Sequence, residues 1–96
     1  MILSFGDSAT EDLYHGRNTG RVRRFPPAVQ RAALRKLDIL NAARELFELR
    51  SPPGNRLEAL RGNWQGYYSI RGNDQWRIVF RWLDGDVDEV QIIDYH

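Results

Sequence analysis

Arg71 and Arg77 flank the triplet Gly72-Asn73-Asp74, and the sequence closes on Asp94-Tyr95-His96. A tight turn between two strand-like runs folds the two arginines toward each other. Like charges side by side repel unless an anion sits between them, and this spacing therefore points to an anion site. Arginine suits phosphate or carboxylate because its guanidinium is a planar fork. His96 adds the side chain whose ordinary titration falls nearest neutral pH. Tyr95 adds a phenol, and Asp94 a carboxylate able to hold an imidazole in one tautomer. A plainer reading stands beside this one: two arginines on a solvated sheet face, paired with Asp88, Glu89 or Asp94, with Tyr95 capping the core and His96 in solvent.

The elements that must position these residues follow from periodicity. Ile2 to Phe5 reads as a short first strand. Asp7 or Ser8 caps a short helix with Glu11 and Asp12 in its first turn, where the helix dipole favours negative charge. Gly16 to Gly20 reads as a loop, and His15 beside it as a surface residue. Pro26-Pro27 opens the main helix. Val29, Ala33, Leu37, Leu40, Ala43 and Phe47 make one apolar stripe, and Ser51-Pro52-Pro53-Gly54 stops the helix near Arg50. Beyond Gly54 the period changes to two. Strands are expected at Arg56 to Leu60, Tyr67 to Arg71, Gln75 to Trp82 and Val87 to Asp94. Short turns at Gly72-Asn73-Asp74 and Asp84-Gly85-Asp86 imply consecutive antiparallel pairing. The pattern predicts a curved sheet of three or four strands with helices on one face, in a single domain over residues 1–96.

The 96 residues are 42% apolar and 28% charged, ordinary for a soluble globular chain. Cysteine is absent, which removes disulfides, thiolate nucleophiles and thiolate zinc sites. No apolar run approaches the roughly 18 residues of a membrane span, and the first residues lack the features of a signal peptide; a cytoplasmic, membrane-free protein is expected. The net charge of +1 hides a strong asymmetry. Residues 16–36 carry Arg17, Arg21, Arg23, Arg24, Arg31, Arg35 and Lys36 and no acid, whereas residues 82–96 carry five acids and no Lys or Arg. Local basic patches of this kind hold phosphates or dock an acidic protein segment.

Several short motifs are jointly specific by order and spacing: Leu60-Arg61-Gly62, Gly66-Tyr67-Tyr68-Ser69-Ile70-Arg71, Gln75-Trp76-Arg77-Ile78-Val79-Phe80 and the closing Asp94-Tyr95-His96. In these the chain resembles HigB-type toxins of the RelE/ParE superfamily; the first 25 residues match loosely. The resemblance implies an α+β fold, with two N-terminal helices packed on a small, twisted, mainly antiparallel sheet of four to five strands. It implies a ribosome-dependent, metal-independent endoribonuclease that cuts mRNA and needs no cofactor. Its expected partners are the ribosome, mRNA and a HigA-like helix-turn-helix antitoxin, with operator DNA met through the antitoxin complex.

By the same resemblance Arg71 and Arg77 would hold the scissile phosphate, His96 would transfer the proton, and Tyr95 would orient the ribose or stack a base. Arg61, Arg56 and Tyr68 are the implied substrate-binding residues. The α-carboxylate of His96 would favour the protonated imidazole of a general acid. One position departs from the family: relatives carry histidine where Glu58 stands. Glu58 is then either a general base or a surface strand residue. Arg61 replaces a family lysine, keeping charge but not a ready proton. Two other functions fit the superfamily, a non-cleaving inhibitor of DNA gyrase like ParE and a catalytically decayed toxin that binds its antitoxin.

Overall fold

The computed structural model describes residues 1–94. The sequence-predicted roles of Tyr95 and His96 lie outside the described residues. Helix α1 spans Ser8–Tyr14, and Asp7 caps it by accepting from Thr10 N at 2.8 Å. It stops where Gly16 takes a left-handed φ of 73°, a conformation that glycine adopts without steric cost. The expected Gly16–Gly20 loop ends in a further short helix, α2 (Gly20–Arg23), whose cap is the hydroxyl of Thr19. The described residues thus contain three α-helices rather than the expected two.

Helix α3 (Pro27–Ala42) starts at proline and buries Val29, Ala33, Leu37 and Leu40 along the anticipated stripe. It ends at Ala42, well before Arg50. Ala43 is extended, and a 3-10 turn over Leu46–Arg50 follows. The register change explains the break. Leu49 becomes fully buried while Phe47, the last member of the expected stripe, is 65% exposed. Glu48 accepts from Arg44 N at 3.2 Å and stabilises the new turn. Asn41, in the last helical turn, accepts from Ile2 N, so the helix end is tied to the start of the chain.

Four strands follow in spatial order β1 (Glu58–Ala59), β2 (Tyr68–Arg71), β3 (Trp76–Leu83) and β4 (Asp86–Asp94), each antiparallel to its neighbour. The first expected strand is reduced to two parallel bridges, Ile2 to Val87 and Phe5 to Val90, on the outer side of β4. Arg56 to Leu60 contributes two strand residues, since Arg56 itself is left-handed (φ 47°, ψ 57°). The β3–β4 hairpin turns through Asp84 and Gly85, both at positive φ, as tight hairpins require. A bulge beside Val79 and Arg81 follows the left-handed Glu89 and bends the sheet.

Period-two alternation separates the sheet's faces. Ile70, Ile78, Phe80, Val90 and Ile92 pack with α1 and α3 into the core. Thr10 anchors α1 to β4 by accepting from Ile92 N at 2.9 Å. Glu58, Ser69, Arg71, Arg77 and Val79 take the other face. No helix among the described residues is long and apolar enough to cross a membrane.

Candidate functional site

The β2–β3 register sets Arg71 directly opposite Arg77. Local chemistry holds that register. Gly72 N and Asn73 N both donate to the Trp76 carbonyl, at 2.9 and 3.1 Å. A Cβ on residue 72 would lie 3.1 Å from that carbonyl oxygen, so glycine permits the close approach. Asn73 Oδ1 accepts from the backbone of Gln75 and Trp76, at 2.8 and 2.9 Å, the turn-mimicking bond that asparagine favours.

Between the two strands and the loop before β1 lies a cleft of about 160 Å³, lined by Arg56, Arg71, Asn73, Asp74 and Arg77. This is smaller than the roughly 300–1,000 Å³ of a typical small-molecule site, so it fits one anionic group of a larger ligand. Arg77 is 8% exposed. Its Nε donates to Ser69 Oγ at 2.9 Å, and one Nη donates to the carbonyl oxygens of Arg56 (2.8 Å) and Ser69 (3.4 Å). The same Nη lies 3.9 Å from a carboxylate oxygen of Glu58. Arg71 is more open and ion-paired to Asp74 at the hairpin tip. Three guanidinium-bearing residues therefore converge, and Asp74 and Glu58 supply counter-charge beside them.

The expected residues divide cleanly. Arg56, Arg71 and Arg77 meet at the cleft, with Glu58 at its margin. Asp94 pairs opposite Trp76 at the same end of the sheet, on the face of Ile92 rather than that of Arg71 and Arg77, and accepts from Gln75 Nε2 at 3.1 Å. Arg61 is exposed at the start of the Gly62–Trp64 turn and does not line the cleft. Tyr68 points to the core side, where its ring stacks on Phe80 at 6.1 Å; a residue one step from Ser69 must take the opposite face. Trp76 packs edge-on against Phe25, and Trp64 against Tyr67.

The solvated-arginine reading is corrected in part. Arg77 is buried, Asp88 is hydrogen-bonded to the Ser4 hydroxyl, and Glu89 pairs with Arg81 at 3.0 Å. That last pair raises the Arg81 pKa chiefly through its hydrogen bond, while the Tyr67 hydroxyl is pushed up by burial first and by Glu89 next.

Ser69, Asn73 and Asp74 were missing from the sequence-based site. Alternation carried the signal for Ser69, a small polar residue two positions before Arg71 on the same face. Away from the cleft, buried Asp12 accepts from Arg17, Thr19 and Arg21 at 3.1–3.2 Å. Burial alone would raise its pKa, but these hydrogen bonds hold the carboxyl below its ordinary value. Among the described residues no group of three or more His, Asp or Glu side chains is arranged to hold a metal ion.

The molecule is thus a small helical layer on one face of an antiparallel sheet, with an arginine cleft on the other face. Residues 3–96 match the HigB-like toxin family, described as the RelE-like toxin of the type II toxin-antitoxin system HigB, and the chain belongs to that family. It is 46% identical over 85 residues to Toxin HigB-1 of Vibrio cholerae serotype O1, covering 88% of this chain and 87% of that protein. It is 34% identical over 61 residues to Endoribonuclease HigB of Proteus vulgaris, covering 64% of this chain and 65% of that one. In fold it resembles the YoeB–YefM toxin-antitoxin complex from Staphylococcus aureus (TM-score 0.59, 19% identity, 100% of this chain and 98% of that chain). A YafQ variant from E. coli is similar to the same degree (TM-score 0.59, 17% identity, 94% and 89% covered).

Proposed function

We propose that this toxin is a metal-independent endoribonuclease that cuts mRNA on translating ribosomes in the cytoplasm, and that a HigA-like helix-turn-helix antitoxin neutralises it. The observation that carries the reading is the cross-strand pair Arg71–Arg77 at the cleft. Two guanidinium groups directly opposite each other disfavour the sheet unless an anion is bound there. The relative named as an endoribonuclease supports RNA as the source of that anion.

In this mechanism the 2′-hydroxyl attacks the adjacent phosphorus, the bond to the 5′-oxygen breaks, and a cyclic phosphate and a free 5′-hydroxyl result. Arg71 and Arg77 bind the non-bridging oxygens and stabilise the added charge of the transition state. Glu58, 3.9 Å from Arg77, accepts the 2′-hydroxyl proton. His96 donates to the leaving oxygen and Tyr95 orients the ribose. Arg56 adds charge at the rim, and Arg61 contacts the backbone further out. The cleft grips one phosphate and leaves the flanking nucleotides open, so the ribosome supplies the in-line geometry.

Purified toxin added to a cell-free translation system should stop synthesis and leave DNA gyrase supercoiling intact. Unimpaired translation with blocked supercoiling would assign the chain to gyrase inhibition. Loss of neither would assign it to the antitoxin-binding role of a decayed toxin.

A further inference from the structure

We infer that Ser69 is a positioning residue, whose hydroxyl fixes the angle at which Arg77 presents its guanidinium to the anion cleft. The inference rests on the reading that Arg77 grips the scissile phosphate. Ser69 is fully buried in β2, between Glu58 of β1 and Val79 of β3. Its Oγ accepts from Arg77 Nε at 2.9 Å, and its own carbonyl oxygen accepts from an Nη at 3.4 Å. The carbonyl of left-handed Arg56 takes the same Nη at 2.8 Å. A guanidinium is planar with its N–H directions fixed. Anchoring Nε and one Nη therefore fixes the plane of the whole group.

The chemistry of the acceptors matters as much as their geometry. A hydroxyl and two carbonyls are neutral, so they orient the cation without cancelling its charge. A carboxylate at position 69 would hold Arg77 as firmly and neutralise it. The full charge of Glu58 stands off at 3.9 Å, the outer limit of an ion pair. These three acceptors aim Arg77 without adding a counter-charge of their own.

The test compares the parent, Ser69→Ala, Arg77→Lys and the double variant in ribosome-programmed mRNA cleavage. Ser69→Ala should lower kcat roughly ten- to a hundredfold, the worth of one hydrogen bond to a charged group, with KM changed less than about twofold, because alignment matters most in the transition state. In the Arg77→Lys background the same change should have no further effect, since lysine has no Nε–H fork to orient. Should the alanine variant melt early, Ser69→Cys keeps the shape with a poor acceptor and should show the same loss. Cleavage at the parent rate, or an equal loss in both backgrounds, would overturn the inference. The Arg77 Nε–Hε resonance gives a readout independent of cleavage. It should be protected from solvent exchange in the parent and unprotected in Ser69→Ala; unchanged protection overturns the inference even if the parent cuts no RNA, an outcome that would separately defeat the reading of the site.

Discussion

Arg71 and Arg77 are direct cross-strand partners at the turn end of the β2–β3 hairpin, Arg77 buried and Arg71 ion-paired to Asp74. Like charges in that relation weaken a sheet by a few tenths of a kcal/mol to about 1 kcal/mol. A site kept for binding at the expense of stability predicts opposite responses in the two properties. Arg71→Ala should leave chemical-denaturation stability within about 0.5 kcal/mol of the parent, or slightly raise it. The same variant should lose about a hundredfold or more in cleavage rate, the scale of removing one preorganised charge donor.

Asp74 competes with the substrate for Arg71. Asp74→Asn removes that competitor at an exposed position, so the KM for mRNA-programmed ribosomes should fall severalfold at low salt. The gain should fade at about 1 M salt, where screening shortens to about 3 Å. A KM unchanged at low salt would show that the pair does not compete with the phosphate.

Asp12 ties the α1–α2 connection together through Arg17, Thr19 and Arg21. Its folded-state pKa is lowered from 3.8. The stabilisation is therefore present above the ordinary carboxylate pKa and is lost as pH falls through the lower folded value. Urea denaturation between about pH 6 and about pH 2 should show stability falling over the acidic end, with a shallower fall in Asp12→Asn. Equal slopes in the two proteins would remove Asp12 from the acid response.

The break after Ala42 separates two apolar residues that the stripe treats alike. Leu40→Ala, at a fully buried position, should cost about 2–5 kcal/mol. Phe47→Ser, on the surface, should stay within about 0.5 kcal/mol. Comparable losses in both would mean that the helix continues through Phe47 in solution.

The arginine pair was legible in part: alternation puts both members on one face, whereas their direct pairing depends on a connection of residues 72–75, one longer than the expected Gly72-Asn73-Asp74 turn, which would have set Arg77 opposite Ser69. The helix end was not, because Phe47 and Leu49 are equally apolar, and the choice between them is made by packing and by the Asn41 tie to Ile2. Asp12 looked like a residue complementing the helix dipole; its three donors come from the following loop and helix, whose path local pattern does not determine. Tyr68 was grouped with Arg71 by motif, yet alternation already assigned it to the opposite face. Ser69 was visible by the same rule, and its hydroxyl gained meaning once the buried guanidinium beside it was seen.

The most direct test of the central claim is primer extension on a defined mRNA in a purified translation system. It would use untagged parent protein beside its Arg71→Ala and His96→Ala variants, with matched melting curves. The account predicts cuts positioned by codon with the parent, requiring ribosomes, and loss of those cuts in both variants. Undiminished cutting by Arg71→Ala, or an intact transcript with the parent, would contradict it.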